Sequence, residues 1–246
     1  MAQPMNLSKP HRPIHVGVIL TKGETELLDI GPVDLLNGLS RHFTENFPDE
    51  LGPPGFKGGA LDLKFHWVTE DGPDTPAQLT AGLRIIPTDS FDTCPPLDIV
   101  LIGAHAPTYT PTAAELSFLR RAYATSAALL AVCGGVDYAR AAGLLEGRTA
   151  TGPRPLLGAW REQSPGVDWV ERRWVRDARG EGKLWTSGAL LNGLDLVHNF
   201  ARHYWGRKES GSPAAAAATA ELVDFASKLG AWPDRDVEYK DVPWNI

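Results

Sequence analysis

The chain has 246 residues, with 24 Lys+Arg against 30 Asp+Glu and a formal net charge of −6 at pH 7. At 43% hydrophobic and 22% charged residues it is composed like a packed globular protein, and its mild acidity gives no electrostatic reason to bind nucleic acid or an anionic membrane. No apolar run approaches the ~20 residues of a membrane span, and two cysteines, Cys94 and Cys133, fit a reducing cytoplasmic setting rather than a disulfide framework.

Residues 1–14, interrupted by Pro4, Pro10 and Pro13, read as a flexible leader without the apolar stretch of a secretory signal. One α/β domain is expected over residues 15–230, followed by a C-terminal tail over 231–246 that has no periodicity. Val16–Leu20 is a short apolar run suited to a doubly covered strand. Gly31-Pro32 opens a helix with Leu35, Leu36, Leu39 and Phe43 on one face, and the Pro- and Gly-rich stretch 46–60 is a loop. Leu63–Trp67 alternates as a strand with one wetter side, and Leu97–Ile102 is a buried strand.

Thr112 and Glu115 stand at capping-box spacing ahead of Leu116, Leu119 and Tyr123, which predicts a helix. Ala127–Val132 is a third buried strand and runs into Cys133-Gly134-Gly135 and a helix through Leu145. Val170–Val175 and Leu184–Thr186 read as a hairpin-like pair. A long amphipathic helix follows, carrying Leu190, Leu194, Val197, Ala201 and Tyr204, and a last helix begins at Ala214 and ends near Leu229. Alternating strands and helices predict a parallel sheet with helices on both faces. Such sheets bind ligands beyond the carboxyl ends of their strands, so chemistry is sought after Leu20, Ile102 and Val132. No Walker-A or G-x-G-x-x-G pattern follows the first strand, and no His/Cys/Asp/Glu cluster has metal-ligand spacing. Neither a cofactor nor a metal is expected.

Cys133 ends a strand and begins a helix. Small residues around a nucleophile are what a strained strand-to-helix elbow requires, and the helix N-terminus favours thiolate over thiol, so a pKa below the ~8.5 of a free thiol is expected. Cys94, in Thr93-Cys94-Pro95-Pro96, reads as a packing residue. Backbone N–H groups after Ile102, in Gly103-Ala104-His105, together with that of Gly134, suit an oxyanion hole. Asp29, with Glu24 and Glu26 nearby, follows the first strand as a candidate proton carrier, and His105 is the histidine placed at a strand end. Trp160, Trp169, Trp174, Trp185 and Trp205 fit either an apolar pocket or the core.

Val18–Gly23, Leu28-Asp-Ile-Gly-Pro-Val-Asp-Leu35, Pro96–Gly103, Ala131-Val-Cys-Gly-Gly135 and Ala142–Thr151 together resemble the ThiJ/PfpI family of the class I glutamine amidotransferase-like superfamily. The likeness runs from about Val16 to Trp205 and is nearest to fungal-type members and the isocyanide hydratase branch. It implies a flavodoxin-like three-layer sandwich, a homodimer, and a small-molecule substrate with no nucleic acid or membrane partner. It implies Cys133 as nucleophile and the amides of Ala104, His105 and Gly134 as oxyanion donors. Asp29 matches the family's carboxylate when one residue is missing; otherwise Leu28 holds that place and His105 is the alternative acid/base group. Two departures stand out: no histidine follows Ala150-Thr151, and Gly103-Ala104-His105 replaces the usual Pro-Gly-Gly. The resemblance implies cofactor-independent hydratase or lyase chemistry on a small electrophile. A biosynthetic task on a bulkier metabolite, glyoxalase-like handling of 2-oxoaldehydes and non-catalytic redox sensing or partner binding are the alternatives.

Overall fold

Strands and helices alternate from the first apolar run onward in the computed structural model, which describes residues 4–179, 181–206 and 214–243. In chain order the elements are β1 (Ile14–Ile19), α1 (Leu27–Ile30), α2 (Val33–Asn37), α3 (Arg41–Asn46), β2 (Leu63–Thr69), β3 (Ala77–Gln78), β4 (Arg84–Ile85) and β5 (Asp89–Ser90). There follow β6 (Ile99–Ile102), α4 (Ala113–Thr125), β7 (Ala128–Val132), α5 (Gly135–Ala141), β8 (Thr149–Ala150), α6 (Arg154–Gln163) and β9 (Asp168–Trp169). The last are β10 (Trp174–Arg176), β11 (Leu184–Ser187), α7 (Asn192–Tyr204) and α8 (Ala214–Leu229).

The main sheet has seven strands in the order β10-β11-β7-β6-β1-β2-β5. All neighbours are parallel except β10, which returns antiparallel to β11. Because side chains alternate across a strand, β6 sends Ile99 and Leu101 to one core and Val100 and Ile102 to the other. The first core is closed by Leu196, Val197 and Phe200 of α7 and Leu222 and Val223 of α8; the second by Phe118 and Leu119 of α4, Val136 of α5 and Leu157 of α6. This is the three-layer α/β sandwich the sequence implies. Among the described residues no helix is long and apolar enough to cross a membrane.

The departures are local. The single helix expected after Gly31-Pro32 is two short ones, because the chain turns at Gly38 and restarts where the Ser40 hydroxyl accepts from Phe43 N–H at 3.1 Å, and a further short helix, α1, ends before Gly31. The capping box at Thr112 is complete in both directions. The helix after Cys133 ends at Ala141, short of Leu145, where Gly143 takes φ +74°. The leader is not free of the core: Met5 and Leu7 are buried, and Trp205 Nε1–H donates to the Leu7 carbonyl at 2.7 Å. The tryptophans fill the interior rather than a pocket. Trp160 packs on Trp169 and Trp174 stacks on Trp185, while Trp205 is 4% exposed.

Candidate active site

Four strand ends stand in register at one edge of the sheet. Ile19 pairs with Ile102, Ile102 with Ala131, and Ser187 with Val132. The segments that leave those strands, carrying Asp29, Gly103–His105, Cys133 and Gly188–Leu190, are therefore forced together, as expected where a parallel sheet opens.

Cys133 takes φ +55°, a left-handed conformation that a non-glycine residue holds only when its surroundings over-determine it. They do so here. Cys133 N–H donates to the Ser187 carbonyl at 3.2 Å, and the Cys133 carbonyl accepts from Val136 N–H at 3.1 Å as α5 begins. Gly135 is required: a Cβ there would lie 2.2 Å from the Ile102 carbonyl oxygen. The turn thus lifts the thiol out of the sheet edge and leaves it half-buried.

Asp29 sits in α1 with no exposed surface. Its Oδ2 accepts from Ala104 N–H at 2.9 Å and its Oδ1 from Leu190 N–H at 3.2 Å, and the same carboxylate faces the Cys133 thiol. The approach is close enough that a Cβ at Gly103 would stand 2.7 Å from Asp29 Cβ. Leu28 is 40% exposed and makes no such contact, so it is Asp29, not Leu28, that faces the sulfur.

Burial dominates the proton affinities. It lifts Asp29 from 3.8 to about 6, against the pull of the Ala104 and Leu190 amides and the thiol. Burial, then the charge of Asp29, pushes the Cys133 thiol up to about 12, while the amides of Gly134 and Leu190 act in the opposite direction. The expected lowering of Cys133 by a helix N-terminus is therefore overturned: α5 has only seven residues, and desolvation beside a carboxylate outweighs it. These shifts leave a protonated Cys133 thiol beside an ionised Asp29 carboxylate at neutral pH.

The oxyanion assignments also change. Ala104 N–H is committed to Asp29, so it is not an open donor. Gly134 N–H points at the sulfur, and so does Leu190 N–H, which nothing in the sequence singled out. Leu190 also has a left-handed φ of +49°, and it precedes α7 instead of lying on that helix's apolar stripe. The bridge that pairs His105 with Thr25 is closed by their neighbours, Glu26 N–H donating to the Ala104 carbonyl and Ala106 N–H to the Glu24 carbonyl, both at 2.9 Å, and the His105 ring turns away. Its Nδ1 lies 2.9 Å from the Ala106 carbonyl, its ring packs edge-on against Tyr109 and Tyr138, and it makes no hydrogen bond to Cys133 or Asp29. Among the described residues no three His, Cys, Asp or Glu side chains come together as a metal site.

A half-buried cysteine on a left-handed strand-to-helix turn, facing a buried acid at the open edge of a parallel sheet, marks an α/β protein with a strand-to-helix elbow at its candidate site. Residues 43–202 match the DJ-1/PfpI family, and the chain belongs to it. It is 31% identical to an isonitrile hydratase of Pseudomonas putida over 162 residues, 64% of this chain and 67% of that protein. A ThiJ/PfpI family protein of Pseudomonas syringae superposes with a TM-score of 0.64 at 20% identity, over 95% of this chain and 78% of that one. DJ-1beta of Drosophila melanogaster superposes with a TM-score of 0.62 at 15% identity, over 90% of this chain and the whole of that one.

Proposed function

We propose that this chain is a cofactor-independent hydratase that converts small organic isocyanides to N-substituted formamides, with Cys133 as nucleophile and Asp29 as proton carrier. The observation that supports this reading is the fully buried Asp29 carboxylate set against the Cys133 thiol on its left-handed turn. The likeness to an isonitrile hydratase supports the choice of electrophile.

The isocyanide carbon is electrophilic and accepts both a nucleophile and a proton, so one acid beside one thiol suffices. Asp29 takes the thiol proton as sulfur attacks that carbon, then delivers it to the same carbon, leaving a thioimidate in which sulfur, hydrogen and the N=C bond meet. Water adds to this carbon, with one of its protons passing to nitrogen through Asp29. The C–S bond of the adduct then breaks, the hydroxyl proton returns to sulfur through Asp29, and the formamide leaves. The amides of Gly134 and Leu190 steady the sulfur as it carries charge. A thiol held at about 12 is inert until a substrate arrives, because its proton leaves only into the adjacent carboxylate.

The same geometry disfavours the alternatives. Redox sensing needs a low-pKa thiolate, and among the described residues glyoxalase-like chemistry with histidine finds no imidazole hydrogen-bonded to the thiol or carboxylate. On this reading the protein works in the cytoplasm as a homodimer, as the family resemblance implies. The test follows the loss of the isocyanide stretching band by infrared spectroscopy and the formamide by NMR. Wild type is expected to hydrate a simple alkyl isocyanide while Cys133→Ser does not; equal rates for the two would overturn the assignment.

A further inference from the structure

The tail after α8 has no apolar periodicity, yet it is fastened to the protein by polar contacts. Arg173, only 2% exposed, donates Nε–H to the Asp236 carbonyl at 2.9 Å and Nη2–H to Asp241 Oδ1 at 2.6 Å, and its backbone N–H donates to the Val237 carbonyl at 2.8 Å. Arg235 grips the buried Asp195 of α7 through both its backbone and its guanidinium. His198 Nδ1 lies 2.8 Å from the Pro233 carbonyl. These anchors hold Tyr239, whose own φ is +59°, with its ring between the guanidinium groups of Arg154 at 4.8 Å and Arg173 at 4.7 Å.

The Tyr239 hydroxyl lands on the loop that serves the candidate site. Asn192 Nδ2–H donates to it at 3.2 Å, and a Cβ at Gly188 would stand 2.6 Å from it. Gly188 N–H is held in turn by the Arg173 carbonyl at 2.9 Å. Between Gly188 and Asn192 lies Leu190, whose single amide contacts both Asp29 and Cys133. A leucine in the left-handed region does not hold itself there. Both flanks of the strained residue are fixed, and Tyr239 touches both.

We propose that the C-terminal segment completes the active site. Tyr239 is a positioning residue that, through Gly188 and Asn192, fixes the Leu190 amide shared by Asp29 and Cys133. The inference rests on those two residues being the reactive pair, and it is independent of which electrophile they meet. The segment lies outside residues 43–202, the part matched to the family.

The test reads the thiol itself, without a substrate. Iodoacetamide labelling of Cys133 is followed against pH by mass spectrometry on the full chain, with Cys94 as internal reference. The titratable groups in play are Asp29 and, beyond it, Glu26 around the thiol, with Arg154, Arg173, Arg235 and Glu171 around Tyr239. Tyr239→Phe keeps the ring and loses the hydroxyl; Asn192→Ser removes the same hydrogen bond from the other side. Loosening the Leu190 amide withdraws a donor from both sulfur and carboxylate. Both variants are therefore expected to move the labelling midpoint up and to slow Cys133 labelling at neutral pH about two- to tenfold, the range one hydrogen bond carries. Neither should alter Cys94. Glu238→Gln, on the same segment but facing Arg172 and Lys240, is expected to leave the profile in place. A purely structural tail would lower the melting temperature without moving the midpoint. An unmoved Cys133 profile in both Tyr239→Phe and Asn192→Ser, with Asp29→Asn shifting it, overturns the inference alone. An Asp29→Asn variant that also leaves it unmoved overturns the reactive pair and the inference with it. A shifted profile in an enzyme that hydrates no isocyanide leaves the inference standing and removes the substrate assignment.

Discussion

Cys94 and Cys133 share one property and differ in everything around it. Both thiols are pushed up to about 12, and in both burial is the main cause. Cys94 packs against the second core, its Sγ–H meets only the carbonyl of the adjacent Pro95 at 3.4 Å, and no carboxylate takes its proton. Cys133 has a strained backbone, two amides aimed at sulfur and a buried acid in hydrogen-bond contact. A thiol proton is useful only where a base can receive it and donors can steady what remains. The comparison separates a buried thiol from a poised one, and each prediction below breaks or sharpens it.

The largest expected effect is on turnover. Cys133→Ser should reduce isocyanide hydration to background, because a serine hydroxyl beside the same carboxylate is a far poorer nucleophile, while Cys94→Ser keeps the wild-type rate. Progress curves for the two variants check this. Asp29→Asn should lower kcat/KM by about 10²–10⁴-fold, the range typical of a lost general acid or base. The same substitution removes the charge that helps raise Cys133, so the midpoint of Cys133 labelling should fall while that of Cys94 stays.

The pH dependence has a worked sign. Turnover needs the Asp29 carboxylate to accept the thiol proton, so the rate should fall as pH drops through about 6. Stability runs the other way. Asp29 is raised in the folded state, so the folded chain binds the proton more tightly than the unfolded one between 3.8 and about 6. Stability is lost as pH rises across that window, and the ionised buried carboxylate costs about 3 kcal/mol by neutral pH. Urea titrations of wild type and Asp29→Asn at pH 4 and pH 7 should show the variant gaining on wild type at the higher pH. The smallest effect belongs to the packing cysteine: Cys94→Ala should cost on the order of 1 kcal/mol through lost core contacts, with no change in rate.

The sheet was readable because β6 and β7 are covered on both sides and appear as unbroken apolar runs, as β1 does from Val16 onward, and because Thr112 and Glu115 sit at capping distance. The elbow at Cys133 was readable from the small residues around it. Asp29 was ambiguous by one residue, since a shift along α1 exchanges a buried acid for the exposed Leu28, and only the contacts with Ala104 and Leu190 decide between them. The helix α6 was hidden by Pro153, Pro155 and Gly158, and it buries only Leu157 and Trp160. Leu190 gave no signal because its contribution is a backbone amide in a conformation leucine rarely takes. The tail was silent because it is held by ion pairs and carbonyls, which leave no hydrophobic period.

The central claim is that Asp29 and Cys133 hold one proton between them. Carbon-13 NMR of the Asp29 carboxyl, assigned by comparison with Asp29→Asn, tests it most directly. The carboxyl should titrate near 6 in wild type and higher in Cys133→Ala, because the thiol hydrogen bond that favours the carboxylate is gone. A midpoint near the ordinary ~3.9 of an aspartate, or one that ignores the loss of Cys133, would contradict it.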